Sequence, residues 1–311
     1  MLLGFRFLFV LSLASAFLKI SKTTSRFTPL HSASSSSSDI SKLKPPTNAF
    51  AYSAISIIKQ GFFDILLPLP KKEISLTADD SDSAMTPILR QSLIRFFVLE
   101  TIARTPYFAY LSVLHLLETL GIDRQLKEGN NVELMRVHFA EGINEGVHLK
   151  IVEEILARID DEMKLLPPKM IKNDDGTTTP EKPPGEEYKF LARGVSVVWY
   201  WTVCVLYLAN PNLAYEFNEA VERHAYETYD GFTKDFKEYL ERQPAVDTAN
   251  DYYSSFIYDE MNVSNLMEDC AAEKEKGMRE KCKNLYDVFC NIRDDEGEHV
   301  KAMLALEDMV K

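Results

Sequence analysis

Two copies of Glu-x-x-His, Glu145-Gly-Val-His148 and Glu296-Gly-Glu-His299, restrict this chain more than any other feature it carries. Each lies in a segment of helical period. Residues three apart share one helical face, so in each copy a carboxylate and an imidazole can turn toward one point. Alone, either copy reads as a solvated surface pair in a chain rich in glutamate. Two copies on separate helices with apolar flanks read differently. With one glutamate from each of two further helices, they make the carboxylate-bridged di-metal site of ferritin-like bundles. The predicted fold is all-α: a ferritin-like four-helix bundle with additional helices.

The rest of the pattern agrees. Helical period runs over about Pro87 to Leu120, Asn131 to Leu165, Glu187 to Leu208, Pro211 to Arg242 and Cys282 to Met309, and strand signals are poor. Gly121, Gly129-Asn130-Asn131, the Pro/Gly/Asp run Pro167 to Gly185, Asn210-Pro211 and Pro244 separate these segments. Glu100, following apolar Phe96 to Leu99, is the natural third source of a ligand. On the fourth helix Glu216, Glu219, Glu222 and Glu227 are all candidates, and spacing does not choose among them. Glutamates and histidines gathered in an apolar interior repel or protonate unless a cation joins them. Oxygen and imidazole donors with open positions suit iron or manganese better than zinc.

A net charge of -12 leaves no basic face for a nucleic-acid partner. The cysteines, Cys204, Cys270, Cys282 and Cys290, show neither metal-type pairing nor a disulfide framework, which fits a reducing interior. The N-terminus reads as an address. Residues 1–16 have Arg6, an apolar run and Ala14-Ser15-Ala16, the pattern of a signal peptide. Residues 17–44 form a transit-peptide-like segment, basic and Ser/Thr-rich with the tract Ser34 to Ser38. Together they resemble the bipartite presequences of algae with complex plastids; the plainer reading is a secretory signal with a serine linker. An N-terminal extension, 45–84, then leads to the four-helix-bundle domain, 85–311. No uninterrupted apolar run in the mature chain reaches the length of a membrane span. Val195 to Ala209 is nonetheless apolar around its circumference, and Trp199, Tyr200 and Trp201 within it suit either a core or a lipid interface.

The segments RFFVLETIARTPYFAYLSVLHLLETL (Arg95 to Leu120), HFAEGINEGVHL, VERHAYETYDGF and NLYDVFCNIRDDEGEHVKAM resemble the plastid terminal oxidase branch of the alternative oxidases. The resemblance covers most of Arg95 to Met303 and fades over Pro167 to Gly185 and Asp247 to Lys281. It implies two iron ions, carboxylate-bridged, held by Glu100, Glu145, His148, Glu222, Glu296 and His299, and so selects Glu222 on the fourth helix. It places Tyr229 beside the irons as a catalytic residue, where a buried structural phenol is the alternative. It makes Asn144 and Asp295 the groups that orient ligands, and Arg95, Leu99 and Thr228 the walls of a quinol pocket. His115 falls at a homodimer interface; packing is an equally good role for Leu99 and His115. Implied partners are plastoquinol, O2 and a membrane surface, with monotopic, interfacial attachment on the stromal side of the thylakoid. The family reads close to AESWNEMHHL where this chain has Ala140-Glu141-Gly142-Ile143-Asn144-Glu145-Gly146-Val147-His148-Leu149. The ligands survive that departure, but two glycines enter a helix, each costing roughly 1 kcal/mol against alanine. Rival readings are a di-iron hydroxylase or desaturase, an iron-storage bundle, and a non-catalytic iron-binding paralogue.

Overall fold

The structure, a computed structural model, describes residues 82–122, 130–165, 170–172, 178–180, 187–255, 258 and 279–310. The predicted signal peptide, the transit-like segment and the extension up to residue 81 lie outside the described residues, as does most of 256–278.

The first predicted helix is divided into α1, Asp82–Ala103, and α2, Thr105–Thr119. Pro106 is the cause: it has no N–H to donate, and its ring clashes with the carbonyl four residues back. Arg104 at the joint keeps a helical φ of -63°. Gly121, at φ +64°, ends α2, with its N–H on Glu118 O and that of Ile122 on Leu117 O, the doubly bonded left-handed stop. The third helix, α3, spans Asn131–Leu165 as its period predicts. Asn130 Oδ1 accepts from the N–H groups of Val132 and Glu133 while Glu133 returns a carboxylate to Asn130 N–H, a reciprocal cap. A short hairpin follows in the linker, β1 (Met170–Lys172) paired antiparallel with β2 (Thr178–Pro180), a minor addition to the all-α pattern. Then come α4, Glu187–Ala209, and α5, Pro211–Asp235, the latter capped by Asn210 Oδ1 on Leu213 N–H with Pro211 in the first turn. The remaining described helices are α6 (Lys237–Arg242), α7 (Asp247–Tyr253) and α8 (Leu285–Val310).

The four bundle helices are α1 with α2, then α3, α5 and α8. α5 packs along α8, while α1 and α2 pack along α3. α4 leans on α1, α2 and α5 from outside. By length and composition α4 is a helix that could cross a membrane, although its uninterrupted apolar run, Val195 to Ala209, is shorter than a span. Its inner face explains why it stays with the bundle: Tyr188 and Ala192 enter one apolar cluster, and Val203, Cys204 and Tyr207 another. Those two clusters occupy opposite ends of the bundle. Between them, at mid-height, each bundle helix turns polar residues inward, among them Glu100, Glu141, Asn144, Glu145, His148, Glu222, Asp295, Glu296 and His299, all buried.

Candidate metal centre

Glu100, Glu145, His148 and Glu296 bring one ligand atom each within 4.8 Å of one another, and so do Glu145, Glu222, Glu296 and His299. Glu145 and Glu296 belong to both groups. Two adjacent cation positions sharing two carboxylates is therefore the arrangement these side chains outline. His148 Nδ1 lies 3.1 Å from Glu296 Oε1 and 3.7 Å from Glu100 Oε2. His299 Nδ1 lies 2.9 Å from Glu145 Oε1, 3.8 Å from Glu222 Oε2 and 3.9 Å from Glu296 Oε2. Each imidazole thus faces the glutamate of the other Glu-x-x-His motif.

The same crossing recurs in the outer glutamates. Tyr229, seven residues after Glu222, donates its hydroxyl to Glu100 Oε1; Tyr107, seven residues after Glu100, donates to Glu222 Oε1 at 2.7 Å. Asn218 Nδ2 adds a second donor to Glu222 Oε1 at 3.2 Å. One oxygen of each outer carboxylate is held by a phenol, and the other, Oε2 in both cases, has no hydrogen-bond partner. The site is close to two-fold symmetric, with α1 and α3 matched to α5 and α8.

The residues fit a pair of cations. Glu100 Oε2, both oxygens of Glu145, Glu222 Oε2, Glu296 Oε2 and His299 Nδ1 are buried without a hydrogen bond, and buried polar atoms are seldom left so. Glu145 Oε1 and His299 Nδ1 are close yet not aligned as donor and acceptor, as two atoms aimed at a common ion would be. Electrostatics agree. Burial, then repulsion from Glu145, holds the Glu100 carboxyl well above its usual range, and burial with Glu145 and Glu222 does the same to Glu296. Burial works against a charge on His148 and His299, but the facing carboxylates outweigh it and raise both. Negative charge here is in excess, and positive charge is drawn toward two points.

Asp295 fixes one imidazole. His148 Nε2 lies 3.1 Å from Asp295 Oδ2, which leaves Nδ1 to face the cation position. Asn144 Nδ2 donates to the same oxygen at 3.1 Å and to the Tyr252 hydroxyl at 2.9 Å. Of the predicted pocket residues, Arg95 is exposed on α1, while Leu99 and Thr228 are half-buried, the Thr228 hydroxyl donating to His224 O. His115 is exposed on α2. None of these four stands among the ligand clusters. Pro106, Tyr110, Trp199, Phe217 and Asn218 instead line a seam between α2, α4 and α5 that is too tight to hold a water.

Sequence reading missed Tyr107, Asn218, Arg279 and the tyrosines at 252, 253 and 258. Tyr107 had a signal, since Glu-x6-Tyr occurs at both Glu100 and Glu222. The glycines of the departing motif are not required by close packing. A Cβ at Gly146 meets nothing within 4 Å, and one at Gly142 meets Tyr107 Cβ at an ordinary 3.5 Å.

The family model described as alternative oxidase matches residues 179–308. Over 221 residues the chain is 39% identical to "Ubiquinol oxidase 4, chloroplastic/chromoplastic" of Arabidopsis thaliana, a match covering 69% of this chain and 51% of that relative. The chain belongs to the alternative oxidase family. The chain spans about half the length of that curated relative, and no solved structure matches it. The alternative oxidase segment contains Glu222, Glu296 and His299; Glu100, Glu145 and His148 lie before it and reach the same site through α1 and α3.

Proposed function

We propose that this chain is a plastoquinol:oxygen oxidoreductase, oxidising two quinols and reducing one O2 to two waters. The observation that carries the reading is the pair of overlapping clusters sharing Glu145 and Glu296, joined to membership of the alternative oxidase family. Glu100, Glu145, His148, Glu222, Glu296 and His299 would hold two iron ions. Bound there, the irons supply the electron transfer and oxygen chemistry that side chains lack. The protein's own part is to hold and orient. Tyr229 and Tyr107 fix one oxygen of Glu100 and of Glu222 and leave the other free for a metal. Asp295 and Asn144 set the tautomer of His148. The apolar clusters above and below keep water from the ligands.

The quinol is proposed to approach along Arg95, Leu99 and Thr228, where Tyr229 links the α1–α5 side to Glu100. Attachment to lipid is assigned to the outer face of α4, where Phe190, Val197, Trp201, Val205 and Leu208 are all exposed. A homodimer is placed on α2, around His115 and the exposed Leu116. The plastid name of the Arabidopsis relative supports a plastid location, and the leader composition of residues 1–44 is consistent with it. Stromal-side attachment to thylakoids is the finer form of this proposal.

Oxygen uptake by the purified protein with a water-soluble quinol tests the reading, with Glu296→Ala alongside. Two quinols consumed per O2, abolished by the substitution, is the expected result. Uptake indifferent to Glu296→Ala removes the mechanism.

A further inference from the structure

Asp295 is gripped far more heavily than an orienting carboxylate needs. Besides His148 and Asn144 on Oδ2, the Tyr253 hydroxyl donates to Oδ2 at 3.1 Å, the Tyr258 hydroxyl to Oδ1 at 3.0 Å, and Arg279 Nη2 lies 2.7 Å from Oδ1. Arg279 rests against two rings that meet edge to face at 5.3 Å, its guanidinium 5.3 Å from the Tyr253 centroid and 5.2 Å from that of Tyr258. Its Nη1 donates to Asn291 O at 2.7 Å, and its backbone N–H donates to Tyr253 O at 3.0 Å. Asn291 and Asp295 are one turn apart on α8, so the planar fork of a single guanidinium spans the face of α8 that ends at Glu296 and ties it to the end of α7. Oδ1 of Asp295 is anchored by Arg279 and Tyr258, while Oδ2, held also by Asn144 and Tyr253, is presented to His148.

We propose that Arg279 and Tyr258 are positioning residues for the metal centre, fixing the rotation of the Asp295 carboxylate so that His148 Nδ1 is held toward its cation. The proposal rests on reading His148 as a metal ligand. Ligand-supporting contacts of this kind are worth about 10–100-fold in metal affinity. A lysine at 279 would keep the charge but not the fork, and could not reach Asn291 O and Asp295 Oδ1 together.

The test is anaerobic titration of the metal-free full chain with Co(II), followed by the visible absorption of the bound ion, with the melting temperature of each metal-free variant measured in parallel. Arg279→Gln and Tyr258→Phe should weaken one of the two cobalt positions by about 10–100-fold and shift its absorption. Arg279→Lys should fall between Gln and the wild type. In an Asp295→Asn background, Arg279→Gln should add little, because both act through one carboxylate. Cobalt affinity and spectrum within twofold of wild type in Arg279→Gln and Tyr258→Phe, whatever happens to melting, would overturn the proposal, provided His148→Ala loses a cobalt position. If His148→Ala binds cobalt like the wild type, the metal-centre reading itself is wrong.

Discussion

Stripping the metal is the perturbation whose size follows most directly from the site. Glu100, Glu145, Glu222 and Glu296 are buried beside two histidines with six of their ligand atoms unpartnered, so the metal-free fold confines charges that ions would neutralise. An ion that binds only the folded chain stabilises it by about 2.7 kcal/mol at a hundredfold excess over its Kd. Two positions give about 5 kcal/mol, and a domain of this size gains roughly 2–4 °C per kcal/mol, hence a rise of roughly 10–20 °C in Tm. The sign with pH follows from Glu100 and Glu296, whose folded pKa values are raised, chiefly by burial and then by neighbouring carboxylates. The folded metal-free chain keeps protons there that the unfolded chain releases. Its stability from these groups is therefore fullest below the ordinary carboxylate range and is lost as pH rises toward the raised values. Metal must displace those protons, so the Tm gap between loaded and stripped protein should widen as pH rises through the same window. Thermal melts with and without Fe(II) under argon, at several pH values, give the answer. A gap that is absent, or that narrows with rising pH, refutes the reasoning.

Three further outcomes are expected. Glu100→Gln and Glu222→Gln should each weaken one metal position, whereas Glu145→Gln or Glu296→Gln should weaken both, read as bound metal per chain, because only the latter two belong to both clusters. Gly146→Ala should stabilise the chain by about 0.5–1 kcal/mol in a denaturant melt, since α3 is helical there and the new methyl meets nothing within 4 Å. Trp201→Lys should reduce binding to vesicles roughly 10–100-fold in a flotation assay, since burying a large exposed apolar side chain is worth about 1.5–3 kcal/mol, while leaving metal content unchanged.

The departing motif shows how a sequence can mislead about strain. Gly142 and Gly146 suggested a loosened ligand helix, yet α3 runs unbroken from Asn131 to Leu165 with the reciprocal cap of Asn130 and Glu133 at its start. Summed helical preference over so long a segment outweighs two glycines. In the first ligand helix the period was right and the continuity wrong, because Pro106 acts through a single missing donor that a hydrophobic pattern averages away.

What the amino-acid order determined by itself was local: helical period, caps at Asn130 and Asn210, the stop at Gly121, and Glu-x-x-His spacing that puts a carboxylate and an imidazole on one face. The tertiary structure alone decided which helices stand opposite each other. That choice made Glu145 and Glu296 common to both clusters, crossed Tyr107 onto Glu222 and Tyr229 onto Glu100, and carried Arg279 to Asp295. The physical reason is range. Periodicity and capping act within a turn or two of the chain, whereas a shared cation position depends on side chains more than a hundred residues apart, brought together only when apolar faces pack.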